Sequence, residues 1–357
     1  MTSVLSLARP DILTLQPYSH AAWLPSLERL HANEMPWRAE GDASGAGLNR
    51  YPEPQPPELI GRLAELYGVG TSQLLAGRGS DEAIDLLVRA FCRAGQDSVI
   101  LCPPTFGMYK VAARIQGADV IEVPLLKEHG FALDRAGVLK AWKPDVKIVF
   151  LCSPNNPTGN LLDPAEIERL CSDLEGKALV AVDEAYVEFA DTPGFTRLLP
   201  RYANLVTFRT LSKAYALAGA RCGVLLAHPE IVSLLKRIIP PYALPSLTVE
   251  AVMQLTAPEN RAAAAAHIST LLVEREKLSA ALKRLPLIRR VWPSDANFLL
   301  VECADADRVL AAVRSVQLII RDQRAQPMLP GCLRITIGTP EQNRRLLAAI
   351  EAAGNPS

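Results

Sequence analysis

Short apolar runs alternate with stretches of helical periodicity between about residues 48 and 250 of this 357-residue chain. The runs, most of them rich in β-branched residues, are SVILC (98–102), DVIEV (119–123), KIVFLC (147–152), ALVAV (178–182), LVTF (205–208) and GVLLA (223–227). Runs of this composition are typical of strands that are buried on both faces of a sheet. Their alternation with helices predicts an α/β fold with a mainly parallel sheet and crossover helices.

The helical stretches carry start signals of their own. After Ser80, apolar residues recur with the i, i+3, i+4, i+7 spacing of an amphipathic helix, at Ile84, Leu87, Val88 and Phe91. Further along, Asp163 predicts an N-cap, Pro164 the first turn and Glu166 the partner in a capping box. A long helical pattern from about 259 to 285 includes the alanine run 262–266, and alanine is the strongest helix former.

The length of the chain exceeds what a single hydrophobic core usually serves, so we expect two domains. Residues 1–47, irregular and ending in GDASGAG, are predicted to form an amino-terminal arm that contributes to the smaller domain. Residues 48–250 are predicted to form the large domain. Residues 251–357 are predicted to contain the linking helix and a small carboxyl-terminal domain.

Composition favours a cytoplasmic enzyme. Lys+Arg and Asp+Glu are both 38, and this zero net charge argues against a nucleic-acid or membrane-surface partner. The seven cysteines contain no Cys-x-x-Cys pair and read as reduced core residues. The histidines lack metal-ligand spacing, so we predict no metal site. No signal-peptide pattern and no apolar stretch of membrane-spanning length is found in the sequence, which predicts neither secretion nor insertion.

One lysine, Lys213, lies next to hydroxyl residues and eight positions before an arginine. Lysine forms a Schiff base with an aldehyde, whereas the side chains of Thr210, Ser212 and Arg221 are of the types that bind a phosphate. The cofactor that needs both is pyridoxal 5′-phosphate. A solvated lysine at a strand end is the alternative for such a pair taken alone.

Two further motifs directly follow predicted strands. Asn156 lies in SPNNPTG after the run 147–152, and Asp183 and Tyr186 lie in DEAY after the run 178–182. Because ligands of open α/β sheets bind beyond the carboxyl ends of the strands, we expect Asn156, Asp183 and Lys213 to converge on one crevice. Asp183 suits the protonated pyridine nitrogen, and Asn156 and Tyr186 suit the ring hydroxyl. Taken singly, the aspartate would be a helix cap or turn former, and the Asn-Pro pair only a turn.

A second phosphate-binding element is predicted at GRGSDE (77–82), where the amino terminus of the predicted helix offers free N–H groups at Ser80 and Asp81. Ordinary capping by either side chain is the alternative.

With these motifs in place, the chain resembles the fold-type I aminotransferases and, within them, the bacterial histidinol-phosphate aminotransferases. The matching stretches are LNRYPEPQP (48–56), GRGSDEAIDLLVRAFC (77–92), CPPTFGMY (102–109), CSPNNPTGNL (152–161), DEAYVEF (183–189), RTLSKAYALAGARCG (209–223), SDANFLL (294–300) and IIRDQRAQPMLPGCLRITIGT (319–339). The resemblance implies a large domain with a mainly parallel seven-stranded sheet and a smaller α+β domain. It also implies ping-pong transamination between histidinol phosphate and 2-oxoglutarate, giving glutamate, with Lys213 as the catalytic base.

The resemblance also implies roles for residues outside the three motifs. Tyr51 would reach the cofactor phosphate of a neighbouring subunit, which implies a homodimer with shared active sites. Phe106 stands where relatives commonly carry a tyrosine, so it keeps the stacking area against the cofactor ring but lacks the hydroxyl.

Substrate recognition is predicted at two arginines. Arg334 would bind a substrate carboxylate or phosphate, and Arg321 would help to neutralise a phosphate dianion; surface ion pairs are the alternative. Tyr18 and Asn33, with Glu34, are predicted to close the pocket over the imidazole.

Three other functions remain open at this stage. An aromatic amino-acid aminotransferase and a pyridoxal-phosphate-dependent decarboxylase of a phosphorylated amino acid would use the same anchors. An aminotransferase-like sensor would need an added DNA-binding module, for which we find no segment.

Overall fold

A computed structural model of the chain describes residues 3–19, 21–24 and 26–354. Residues 1, 2, 20, 25 and 355–357, which belong to the predicted arm and the predicted carboxyl-terminal domain, lie outside the described residues. The strands are β1 Leu74–Gly77, β2 Ser98–Leu101, β3 Asp119–Glu122, β4 Val146–Cys152, β5 Leu179–Asp183, β6 Leu205–Thr210, β7 Gly223–Ala227, β8 Ile288–Val291, β9 Phe298–Cys303, β10 Arg321–Asp322 and β11 Cys332–Thr336.

The α-helices are α1 Pro10–Thr14, α2 Pro57–Tyr67, α3 Ser80–Phe91, α4 Met108–Gln116, α5 Arg135–Ala141, α6 Pro164–Asp173, α7 Pro229–Leu235, α8 Ser246–Leu255, α9 Pro258–Leu282, α10 Ala306–Ser315 and α11 Pro340–Gly354. Short 3-10 helices lie at Val4–Leu7, Thr71–Gln73, Lys127–His129, Val187–Phe189, Thr196–Leu198 and Ala218–Ala220. Within the described ranges, no helix is long and apolar enough to cross a membrane.

The large sheet has seven strands in the order β1-β7-β6-β5-β4-β2-β3. All neighbours pair in parallel except β7, which is antiparallel to both β1 and β6. The six apolar runs of the sequence form six of these strands, so that part of the prediction is confirmed. Strand β1 is additional: its four residues, LLAG, are too short to show a period.

The apolar runs are continuous because both faces of the sheet are covered. Along β4, Ile148, Phe150 and Cys152 pack into one hydrophobic cluster, while the intervening Val149 and Leu151 pack into another on the opposite face. A strand whose side chains alternate between two buried faces must be apolar at every position.

The predicted helix faces are present, with one correction. The apolar residues of α3 are fully buried: Ile84, Leu87, Val88 and Phe91. Helix α6 is capped as predicted, by Asp163 accepting the N–H of Ala165 at 2.8 Å. The predicted capping box with Glu166 is wrong, because that carboxylate pairs with the guanidinium groups of Arg135 and Arg169.

The second sheet is antiparallel, with the order β10-β11-β9-β8, and helices α9, α10 and α11 share its hydrophobic cluster. Helix α9 covers the long helical pattern of the sequence. The predicted domain boundary after residue 250 falls inside α8, whose buried Val252 packs with the large sheet. The structure therefore favours a boundary at the start of α9.

The amino-terminal residues differ from the prediction. We expected an irregular arm that contributes to the smaller domain, but Val4, Leu7 and Ala8 pack into the hydrophobic cluster beside α3. The N–H of Arg9 donates to the carbonyl of Ala90 at the end of α3. Burial of these apolar side chains stabilises the packing of this turn on the large sheet.

The two sheets dock through a short polar contact. The N–H of Asp295 donates to the carbonyl of Gly159 at 2.7 Å, and the Asp295 carboxylate accepts the N–H of Leu161 at 3.0 Å. Gly159 has φ +84°, and a Cβ atom there would lie 2.5 Å from Oγ of Ser294. That Oγ is fixed by donating to the carbonyl of Phe298 at 2.6 Å. The loop after β4 therefore packs directly against the segment between β8 and β9, and Gly159 permits this close approach.

Gly159→Ala should destabilise the protein more than Gly176→Ala. Both glycines have positive φ, so both variants carry about 1–2 kcal/mol of backbone strain. Only Gly159 would also push a Cβ into Ser294, which adds about 1–3 kcal/mol of overpacking, whereas a Cβ at Gly176 meets nothing within 4 Å. Urea unfolding of both variants measures the difference in stability. Equal unfolding midpoints would show that the contact between Gly159 and Ser294 is not close enough to exclude a Cβ atom.

Candidate active site

A cavity lies beyond the carboxyl ends of strands β4, β5 and β6. Ten residues predicted from the sequence line it: Ser80, Asp81, Phe106, Asn156, Asp183, Tyr186, Thr210, Ser212, Lys213 and Arg221. They are brought together because parallel strands present their carboxyl ends at the same edge of the sheet. The predicted crevice is therefore present.

Asp183 is the last residue of β5 and is buried at the floor of this cavity. One carboxylate oxygen accepts the hydroxyl of Tyr109 at 2.7 Å, and the other accepts the N–H of Ala185 at 3.0 Å. Burial raises the pKa of Asp183 to about 6, although both hydrogen bonds oppose this. A carboxylate in this position attracts a positively charged group.

A chain of polar contacts links the cavity to the second sheet. Arg334 Nη1 donates to Oδ1 of Asn156 at 2.5 Å, and Nδ2 of Asn156 donates to the hydroxyl of Tyr186 at 3.4 Å. The ring of Tyr186 meets the ring of Phe298 edge to face, with centroids 5.1 Å apart. Asn156 and Tyr186 thus line the same side of the cavity.

Lys213 follows β6 and extends its ammonium towards the ring of Tyr186, 5.9 Å from the ring centroid. Partial burial is the main cause that lowers the pKa of Lys213, and the positive charge of Arg334 lowers it further. A lysine with a lowered pKa has more of its neutral form, which can act as a nucleophile and a base.

The opposite side of the cavity is suited to an anion. Helix α3 begins there, with Gly79 as its N-cap and no side-chain cap within the described part of the chain, so neither Ser80 nor Asp81 caps it. The hydroxyls of Thr210 and Ser212 are 3.0 Å apart, and Arg221 reaches Asp81 at 3.4 Å. Free helix N–H groups, hydroxyls and a guanidinium are the usual donors to phosphate.

Two glycines let the backbone approach closely at this anion site. A Cβ at Gly79 would lie 2.7 Å from Nη2 of Arg221. A Cβ at Gly223, which starts β7, would lie 2.5 Å from the backbone nitrogen of Ser80. Strand β7 therefore lies in close contact with the start of α3. The GRGSDE motif alone did not indicate this contact.

The two predicted substrate arginines are direct partners across antiparallel strands β10 and β11. Arg321 is exposed, and both side chains line one open cleft beside the cavity. Within the described residues, the buried Nε of Arg334 has no hydrogen-bond partner. Like charges directly opposite each other are unfavourable in a sheet, so this pair is suited to an anion that binds both.

Some predicted residues lie outside the cavity. Tyr51 stacks on Tyr242 at 4.5 Å and lines a separate apolar groove, while Tyr18 is 73% exposed and Asn33 is not in the cavity wall. Glu34 accepts ion pairs from Arg29 and Arg50 instead of facing the cavity. In a single chain these residues do not meet the other predicted site residues.

Two contacts at the site were not predicted. The hydroxyl of Tyr109 binds Asp183, and Phe298 supports Tyr186 from the second sheet. Tyr109 lies in the CPPTFGMY segment, but its contact with Asp183 depends on how α4 packs on the sheet. Phe298 offers no local signal either, because its position depends on how the two sheets dock.

Comparison with known proteins agrees with this geometry. Residues 29–350 match the family described as aminotransferase class I and II. The histidinol-phosphate aminotransferase of Stenotrophomonas maltophilia is 49% identical over 98% of this chain and 97% of its own length. That of Xylella fastidiosa is 47% identical over 98% and 96%. The fold matches a Sinorhizobium meliloti histidinol-phosphate aminotransferase solved with pyridoxal-5′-phosphate, with a TM-score of 0.74, 24% identity and coverage of 85% and 82%.

Asp183→Asn should stabilise the cofactor-free protein at pH 8. Folding raises the pKa of Asp183 from 3.8 to about 6, so the folded state holds the proton more tightly than the unfolded chain. Its contribution to stability is therefore present at low pH and is lost as the pH rises through 6, by about 3 kcal/mol.

Unfolding curves at pH 8 and at pH 4 measure this effect. The variant should be more stable than the wild type at pH 8, and its advantage should shrink as the pH falls below 6. A variant that is less stable at pH 8 would show that Asp183 is not a destabilising buried charge.

Proposed function

The chain belongs to the class I and II aminotransferases, and we propose that it transfers an amino group between L-histidinol phosphate and 2-oxoglutarate, with pyridoxal 5′-phosphate as cofactor. The products in this direction are imidazole acetol phosphate and glutamate, and the reaction would serve histidine biosynthesis. The free thiols of all seven cysteines favour a reducing compartment, the cytoplasm.

The proposed substrate preference depends on the paired arginines, Arg321 and Arg334. An ordinary α-carboxylate needs one guanidinium fork, but Arg321 and Arg334 face one cleft from adjacent strands. A phosphate dianion matches two positive charges better than a carboxylate does. Arg334 also bonds to Asn156 in the cavity wall, so an anion bound there lies next to the reacting groups.

The residues present fit the cofactor at both ends. The buried Asp183 carboxylate supplies the negative charge that a protonated pyridine nitrogen needs, and the uncapped start of α3 supplies N–H groups for its phosphate. Thr210, Ser212 and Arg221 would hold the same phosphate, Asn156 and Tyr186 the ring hydroxyl, and Phe106 one face of the ring.

In the reaction, Lys213 carries the proton. When bound, pyridoxal phosphate supplies an aldehyde that condenses with amines and a ring that accepts electron density. Lys213 would hold the aldehyde of the bound cofactor until a substrate amine takes its place. The neutral amine of Lys213 would then move the proton from the substrate carbon. The lowered pKa of Lys213 favours this neutral form.

We also propose a homodimer with shared active sites, supported by the surface around Tyr51. Tyr51 lines a groove together with Leu24 and Leu27, and these three side chains are 48%, 51% and 62% exposed. An apolar surface of this kind is typical of an interface. Tyr51 would reach the cofactor phosphate of the other subunit, and Tyr18 and Asn33 would cover the substrate there.

Half-reaction kinetics with a panel of amines test the proposed substrate. Histidinol phosphate should convert the bound aldehyde to the amine form with a higher kcat/KM than phenylalanine. A preference for phenylalanine would support an aromatic amino-acid aminotransferase instead. Release of carbon dioxide from a phosphorylated amino acid would support a decarboxylase, and either result would overturn the proposal.

Lys213→Ala should abolish transamination and the visible absorption of the lysine-linked cofactor while the fold stays intact. The reason is that no other amine would hold the aldehyde or move the proton from the substrate carbon. Turnover, the absorption spectrum and circular dichroism measure the three effects. Lys140→Ala, an exposed lysine on α5, is the control and should behave like the wild type. Near-normal turnover in Lys213→Ala would remove the lysine from this role.

Arg321→Ala should cost histidinol phosphate more than it costs phenylalanine. A charge-assisted hydrogen bond contributes roughly 1.5–3 kcal/mol, so the ratio of the two kcat/KM values should fall about 10- to 100-fold. Arg334→Ala should instead impair both half-reactions, since phosphate and carboxylate would share that guanidinium. An unchanged ratio in Arg321→Ala would contradict phosphate binding by Arg321.

A further inference from the structure

Tyr109 is a buried tyrosine that none of the roles above uses. It lies in the first turn of α4, three residues after Phe106, whose ring it meets edge to face at 5.6 Å. Its own ring stacks on Phe150 of β4, with centroids 5.0 Å apart and planes 5° apart. Phe150 in turn packs on Phe208 of β6 at 6.4 Å. This stack fixes the direction in which the Tyr109 hydroxyl points.

That hydroxyl is directed at Asp183. It donates to Oδ2 at 2.7 Å, while the N–H of Ala185 donates to Oδ1 at 3.0 Å. Each carboxylate oxygen therefore has one donor, and the carboxylate plane is fixed. Burial and the charge of Asp183 raise the pKa of Tyr109 well above its ordinary value, so the phenol keeps its proton and remains the donor.

We propose that Tyr109 is a positioning residue for transamination, whose hydroxyl keeps Asp183 anionic and oriented towards the cavity. The inference rests on the proposed function, because it concerns the carboxylate that would meet the pyridine nitrogen. Tyr109 itself does not line the cavity, so it acts through Asp183.

The other groups near Asp183 do not replace this donor. Asp81 and Glu184 are acidic, and their charges disfavour the Asp183 anion. The pKa values of Cys152 and Tyr186 are raised by burial and by the negative charge of Asp183. Lys213 is a cation only while it is protonated; burial lowers its pKa, and it must exchange its proton during the reaction.

Residue 106 makes the role of Tyr109 more specific to this chain. Because residue 106 is a phenylalanine, the only side-chain hydroxyls of the PPTFGMY segment are those of Thr105 and Tyr109. The Thr105 hydroxyl is committed to Oδ1 of Asn155 at 3.1 Å. Tyr109 is thus the residue through which this segment reaches Asp183.

Tyr109→Phe tests the proposal, because it removes the hydroxyl and keeps the stacked ring. In cofactor-free protein labelled with ¹³C at the aspartate carboxyls, the pKa of Asp183 should rise by about one to two pH units above the wild type. Assignment of the signal comes from its loss in Asp183→Asn. The matched control is Tyr202→Phe, which removes a buried tyrosine hydroxyl that donates to Glu168 at 3.2 Å and should leave the Asp183 titration unchanged.

With ¹⁵N-labelled pyridoxal phosphate bound, the ring-nitrogen chemical shift should show less protonation at pH 8 in Tyr109→Phe than in Tyr202→Phe. The kcat for histidinol phosphate should fall about tenfold or more, while KM changes less, because substrate binding by the arginines is retained. An Asp183 titration identical to the wild type would overturn the proposal. So would a kcat loss without any change in ring protonation.

A second replacement covers the case in which Tyr109→Phe fails to fold. 3-Fluorotyrosine at position 109 keeps the hydroxyl and makes it a stronger donor, so the pKa of Asp183 should fall below the wild-type value. An unchanged or raised pKa would contradict the role. If the wild type transaminates none of the amines, the proposed function fails, but the titration of the cofactor-free protein still decides whether Tyr109 controls Asp183.

Discussion

Burying a carboxylate at the end of a central strand is unfavourable unless a positive charge comes to it, and much of the site is arranged around this constraint. Asp183 lies on β5, with parallel strands β4 and β6 on either side, so their following loops bring Asn156 and Lys213 to the same edge. Its two hydrogen bonds, from Tyr109 and Ala185, offset only part of the desolvation, since the pKa remains raised to about 6. A cationic ring bound in the cavity would supply the missing charge.

The paired arginines are subject to the same electrostatic constraint, with positive charges in place of a negative one. Arg321 and Arg334 are opposite each other on β10 and β11, where like charges repel, and the Nε atom of Arg334 is buried without a partner in the described part of the chain. Both arrangements are unfavourable in the free protein, and a bound ligand of opposite charge would offset the cost of each. Local rules of stability are often broken at functional sites for this reason.

The site lies between two sheets, so its geometry depends on how they dock. Gly159 meets Ser294 and Asp295 next to the same loop that carries Asn156, and Arg334 crosses to Asn156 from the second sheet. At the other end, Gly223 lies close to the start of α3, which fixes the N–H groups at that helix start relative to β7. Close backbone approach through glycine leaves little room for either part to shift.

The sequence by itself determined the six apolar strands and the helix face of α3, because both depend on local periodicity. It also indicated nine of the fourteen residues that line the cavity, through motifs beside predicted strands and at a predicted helix start, and a tenth, Phe106, through the family resemblance. It did not determine the second sheet's docking, the packing of Val4 and Leu7 on the large sheet, or the pairing of Glu166 with Arg135. Those features join residues far apart in the chain, and only the tertiary structure decides which partners meet. Tyr109 shows the limit: its motif was recognised, but its contact with Asp183 spans 74 positions and depends on how α4 crosses the sheet.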